Sequence, residues 1–171
     1  MPEPPAKMIP FINSYFNRRT LAILICMKLV IVSGFFNPLH GGHLDVIQAA
    51  AKLGDRLVVI VNNDVQQVMK KDKIILPQEN RYRLITALRD VDETILAIDE
   101  DPTVIETLRM IAKTHPYDEL IFANGGDRSA PETVPERAVC EENGIQMVYG
   151  VGGAEKADSS TRINQALGHA K

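Results

Sequence analysis

Residues 27–44 read Met27-Lys28-Leu29-Val30-Ile31-Val32-Ser33-Gly34-Phe35-Phe36-Asn37-Pro38-Leu39-His40-Gly41-Gly42-His43-Leu44. The first six are a compact apolar run of the kind a fully buried strand presents. Helical periodicity follows the glycines, with Leu44, Ile47 and Ala51 on one stripe and Val46 and Ala50 beside it. A strand, a glycine loop and a helix in that order aim unpaired backbone N–H groups and the positive end of a helix dipole at the loop. Glycines let a ligand approach the backbone closely. Two of the chain's four histidines, His40 and His43, stand three apart in this loop. Imidazoles donate hydrogen bonds to phosphate oxygens and stabilise charge that develops in phosphoryl transfer. The stretch reads as a phosphate cradle with two side-chain donors. A tight turn with solvent-facing histidines and a His-x-x-His metal site are the competing readings. The strand–glycine–helix context favours the cradle, and no carboxylate or thiol at ligand spacing supports a metal.

Outward from the loop, short apolar runs alternate with helix-like stretches. Candidate strands are 28–33, 56–62, 93–98, 119–123 and 145–149, and candidate helices are 42–53, 64–70, 78–89, 103–114, 131–143 and 160–167. Strands of about five residues separated by helices imply an α/β chain with a parallel sheet and right-handed crossovers. Gly54 stands where a left-handed C-terminal cap would close the first helix. Ligands in such sheets bind at the carboxyl ends of the strands, where the strand order reverses.

The 171 residues, 19.0 kDa, suit one domain, since domains commonly run to roughly 100–200 residues. Residues 1–26 read as an extension and residues 27–171 as the domain. Pro2, Pro4, Pro5 and Pro10 resist regular structure. The apolar run from Leu21 to Val32 raises a leader or membrane anchor, but Lys28 interrupts it. A span needs about 20 apolar residues, and cleavage near residue 33 would remove the first strand. A soluble protein is expected, with no membrane partner. Cys26 and Cys140 are too few for a disulfide scaffold and suit reduced thiols in the cytoplasm. Nineteen Lys and Arg against 22 Asp and Glu, a net charge of -3, give no basic excess for a nucleic-acid backbone.

The segment Gly34–His43 resembles the His-x-Gly-His signature of the cytidylyltransferase-like nucleotidyltransferase superfamily. The similarity continues through Leu53–Asp64, Arg81, Leu88–Glu93, Gly125-Gly126-Asp127 and Ser159–Ile163, in the order of glycerol-3-phosphate cytidylyltransferases and heptose-1-phosphate adenylyltransferases. That resemblance implies a Rossmann-like three-layer sandwich with a five-stranded parallel sheet. It also implies an enzyme that transfers a nucleoside monophosphate from CTP or ATP, with Mg²⁺, to a small phosphorylated acceptor, releasing pyrophosphate. His40, His43 and Lys70 would be catalytic, and Lys70 and Lys73 would meet the phosphates of both substrates. Nucleotide contacts would come from Gly34, Phe35, Phe36, Gly42, Asp127, Arg128, Ser159, Ser160 and Thr161. Family members are often dimers, so a homodimer is the analogy.

Several residues have plainer readings beside these. Lysine runs usually form a solvated face, and Asp158 or Ser159 also suits a helix cap. Arg81 is expected in an ion pair on a helix surface. Asn37 stands where many cytidylyltransferases have aspartate, in a Phe-Asn-Pro form similar to nicotinate or nicotinamide mononucleotide adenylyltransferases. Ala154 replaces an arginine of the glycerol-3-phosphate type. Both departures keep ATP in contention with CTP. A non-catalytic nucleotide-binding or sensor domain is the rival on the same fold, opposed by the intact His-Gly-Gly-His and Ser-Ser-Thr blocks.

Overall fold

The computed structural model describes residues 26–125, 134–153 and 158–168. Most of the 1–26 extension, together with Asp127 and Arg128, lies outside the described residues. The chain order is β1 (Lys28–Gly34), α1 (Gly41–Ala50), β2 (Arg56–Val61), α2 (Asp64–Lys71), α3 (Gln78–Thr86), β3 (Glu93–Leu96), α4 (Ile105–Thr114), β4 (Glu119–Gly125), α5 (Arg137–Glu142), β5 (Gln146–Val151) and α6 (Ser160–Ala166). The five strands form one sheet in the order β3-β2-β1-β4-β5. Every neighbouring pair is parallel, with Ile31 opposite Val58 on one side and Phe122 on the other.

Period-2 alternation divides the core between the two sheet faces. Leu29, Ile31, Val58, Ile60 and Phe122 pack against Leu108 and Ile111 of α4 and Val139 and Cys140 of α5. Val30, Val32, Val59, Val61 and Ile121 pack against Ile47 and Ala50 of α1 and Ile85 of α3. Helices on both faces explain why β1 and β2 are apolar at successive positions rather than alternating. The result is the expected Rossmann-like three-layer sandwich. Among the described residues no helix is long and apolar enough to cross a membrane.

Local chemistry trims the elements. Asp101 accepts from the Thr103 N–H and hydroxyl, and Asp99 accepts from the N–H groups of Glu106 and Thr107, so α4 starts at Ile105 rather than 103. The first helix tightens into a 3-10 turn over Ala51–Leu53. Gly54 departs from the expected left-handed cap: its φ is -157°, extended backbone. Its role is closeness, because a Cβ there would lie 2.5 Å from the Lys28 carbonyl oxygen and 2.7 Å from Val30 Cγ2.

Candidate functional site

The strand order reverses between β1 and β4, because the chain leaves β1 for β2 on one side and β4 for β5 on the other. A cavity of about 320 Å³ opens at the carboxyl ends of these strands, the place the topology rule assigns to ligands. Its floor is the β1–α1 loop. One half is walled by α2 through Gln67 and Lys70, and the other by Asn124, Gly152 and the start of α6 at Asp158–Thr161.

In the loop, Phe36 has φ 49°, a left-handed conformation that bulky residues rarely adopt. Burial of its ring to 3% exposure and an edge-on contact with the His43 ring at 5.0 Å between centroids offset that strain. The His40 and His43 rings stack 3.8 Å apart and 26° from parallel. His40 is the N-cap residue of α1, with extended backbone and no side-chain cap hydrogen bond, and the first turn carries no acidic residue. The start of α1 therefore lies at the cavity beside two imidazoles with no carboxylate in its first turn, and Asp45 of the next turn also lines the cavity.

Lys70 lines the cavity from α2, its Nζ 4.5 Å from the centre of the Phe35 ring. On the opposite wall Ser159 caps α6, its hydroxyl accepting from the Arg162 N–H at 3.1 Å. Asp158 pairs with the Arg162 guanidinium through both carboxylate oxygens, at 2.6 Å each. That bond, helped by the Ser159 N–H and by the charges of Arg162 and His40, holds the Asp158 carboxyl down at about 2. The Ser160 hydroxyl reaches the Pro38 carbonyl at 3.4 Å, tying this wall to the histidine loop.

Arg81 is the main departure from expectation. It lies on no surface: its side chain is 0% exposed. Its Nε donates to the Leu76 carbonyl at 2.9 Å, and one terminal nitrogen donates to the carbonyls of Phe35 and Asn62 at 2.8 and 2.6 Å. The other pairs with Asp64 at 2.6 Å. One guanidinium thus joins the ends of β1 and β2, the start of α2 and the segment beyond it, using the fixed fork of donors only arginine has. It holds the histidine loop and the lysine helix in register without entering the cavity.

Of the expected site residues, Gly34, Phe35, Phe36, His40, Gly42, His43, Lys70 and Ser159–Thr161 all line the cavity. Lys73 is not among the lining residues; its carbonyl instead accepts from Gln67. The cavity also draws in Asn124 at the end of β4, and Gln67 and Gly152, which the sequence does not single out as site residues. Gly152 belongs to a glycine pair visible in the sequence, whereas nothing local marks Gln67 off from Gln66. The structure buries both, Gln66 completing the capping box with Asn63 and Gln67 facing the cavity.

Comparison with known proteins gives a consistent result. The family model described as cytidylyltransferase-like matches residues 31–165. An FAD synthase of Ferroglobus placidus is 47% identical over 75 residues, covering 44% of this chain and 49% of that protein. The bifunctional protein HldE of Pelobacter propionicus is 30% identical over 157 residues, covering 86% of this chain and 30% of its own length. These matches therefore span half or less of the relatives. The crystal structure of a lipopolysaccharide core biosynthesis protein from Thermoplasma volcanium superposes with a TM-score of 0.59 at 28% identity, over 77% of this chain and 99% of that one.

Proposed function

The chain belongs to the cytidylyltransferase-like family, whose members are nucleotidyltransferase enzymes, and from that premise we propose that it transfers a nucleoside monophosphate from ATP or CTP to a small phosphorylated acceptor. The observation that carries this reading is the stacked His40–His43 pair at the uncapped start of α1, inside a cavity with Lys70 on one wall and Ser159–Thr161 on the other. Two walls suit two substrates. The nucleotide lies against Asp158–Thr161 and Gly42, with Asp127 and Arg128 of the β4 block contributing as the resemblance implies. The acceptor lies towards α2, where Lys70, with Lys73 on the segment beyond, meets its phosphate.

In the reaction an acceptor phosphate oxygen attacks the α-phosphorus in line. The new P–O bond forms as the bond from the α-phosphorus to its bridging oxygen breaks, and the electron pair leaves with pyrophosphate. No protein nucleophile is needed, because positioning and charge stabilisation carry such transfers. His40, His43 and the first-turn N–H groups of α1 hold the phosphate oxygens whose charge increases, and Lys70 draws the two phosphates together against their repulsion. Mg²⁺ is taken as part of the substrate, the magnesium–triphosphate complex, since this ion is usually held by substrate phosphates, waters and one or two carboxylates; no step is assigned to it.

Pyrophosphate release, assayed with MgATP and MgCTP against a panel of phosphorylated sugars, polyols and ring-bearing phosphates, tests the proposal. Release that requires both a nucleotide and an acceptor is the expected result. Nucleotide binding with no release for any pair would favour the non-catalytic rival.

A further inference from the structure

Phe35 and Phe36 are neighbours in the loop after β1, yet the chain treats their rings differently. Phe36, at φ 49°, buries its ring against His43, whereas Phe35 stays half-buried in the cavity wall. An apolar ring in a cavity suited to phosphates offers an anion neither charge nor hydrogen bond. What this ring meets is a cation: Lys70 Nζ stands over it, 4.5 Å from its centre, inside the roughly 6 Å over which a ring face attracts an ammonium. One buried residue fixes both partners. Arg81 donates to the Phe35 carbonyl at 2.8 Å and pairs at 2.6 Å with Asp64, the first residue of the helix that carries Lys70. Ring and lysine helix therefore keep a common register.

We propose that Phe35 is a positioning residue for the transfer: its ring is the platform that holds the Lys70 ammonium where the phosphates of the two substrates meet. This rests on the nucleotidyl-transfer reading and adds to it a residue that acts through Lys70 rather than on the nucleotide. Lysine carries its charge on a flexible four-carbon stem, so an ammonium left to solvent must be ordered afresh at each binding event, a cost that preorganisation removes. A carboxylate in the ring's place would hold the ammonium more tightly. It would also bring negative charge into a cavity meant for polyphosphate and compete with the phosphates for the same cation. The ring attracts through its quadrupole and adds no net charge. An ammonium resting on one ring face keeps N–H donors on its far side for phosphate oxygens.

The test is a double-mutant cycle with two readouts that do not need turnover. Phe35→Leu keeps apolar bulk and removes the ring, Phe35→Tyr keeps the ring, and each is made with Lys70 present and with Lys70→Met. In pyrophosphate release, Phe35→Leu should lower kcat/KM for the acceptor about fivefold, the size of a cation–π contact at a part-exposed site. KM for the nucleotide should change little, and Phe35→Tyr should recover most of the loss. With Lys70→Met the same leucine should cost nothing more, because its partner is already gone. Protons held over an aromatic ring resonate upfield. The Lys70 ε-methylene should therefore lie upfield of the other lysines in wild type and Phe35→Tyr, and return to the ordinary position in Phe35→Leu. Inorganic pyrophosphate should bind Phe35→Leu about fivefold more weakly, again only while Lys70 is present. An ordinary Lys70 resonance in wild type, no loss in Phe35→Leu, or a loss of equal size with and without Lys70 would overturn the inference. No release with any nucleotide and acceptor, alongside the upfield resonance and the Lys70-dependent pyrophosphate binding, would instead count against the transfer reaction and leave the platform standing.

Discussion

The guanidinium of Arg81, with no exposed side-chain surface, meets the carboxylate of Asp64 at 2.6 Å across the loops that end β1 and β2. Taking one member from a buried pair strands the other and the carbonyls around it, which typically costs about 3–5 kcal/mol. Arg81→Ala should lower the urea midpoint by a corresponding amount and cut turnover, because the histidine loop and α2 lose their common anchor. Asp64→Asn keeps an acceptor oxygen and should cost less. An Arg81→Ala variant unfolding at the wild-type midpoint would show that the pair is not formed in solution.

His40→Ala and His43→Ala should each lower kcat by about 10²–10³, the usual effect of removing one preorganised donor, while melting within a few degrees of wild type. The stack at 3.8 Å couples the two, so the double variant should lose less than the product of the single losses. Full activity in both single variants would sink the mechanism.

The Asp158–Arg162 pair makes a pH prediction. Asp158 titrates at about 2 in the fold, below the roughly 3.9 of an unstructured aspartate. The pair's contribution to stability is therefore complete above about pH 4 and disappears as the pH falls towards 2. Carbon NMR of the Asp158 carboxyl should show the low midpoint, and Arg162→Gln should move it back up towards the ordinary range. A wild-type midpoint already in that range would mean the two side chains do not meet.

Gly42→Ala sets two effects against each other. Alanine favours a helix over glycine by up to about 1 kcal/mol, which predicts a small gain. A Cβ at Gly42, however, would sit 2.7 Å from the Asp158 carbonyl oxygen, and such overpacking costs about 1–3 kcal/mol. Packing should win, giving a lower melting temperature and a raised KM for the nucleotide. A higher melting temperature with unchanged KM would show that the two segments sit further apart than described.

Much of this architecture was readable in advance because it rests on local patterns. The apolar runs at 28–33 and 56–62 fit strands covered on both faces, and the loop between Gly34 and His43 stands out through residue type and spacing. What local pattern could not show was where distant carbonyls would gather. Arg81 sits on a helix whose periodicity leaves its face open, and its burial depends on Phe35 and Asn62, 46 and 19 positions away. Gly54 departs from a left-handed cap for a similar reason, since its constraint comes from Lys28 and Val30 rather than from the helix it follows. Gln67 differs from Gln66 only in which way its helix turns it.

The contact between Gly42 and the Asp158 carbonyl also bears on the order of assembly. The sheet and both histidines are complete once the chain has passed Val151, but the Asp158–Thr161 part of the facing wall comes more than a hundred residues after the loop it closes against. In chain order the histidine loop thus comes first, and its α6 wall is added only by the last helix. The cavity is closed on one side by a helix that contributes no buried residue to the core.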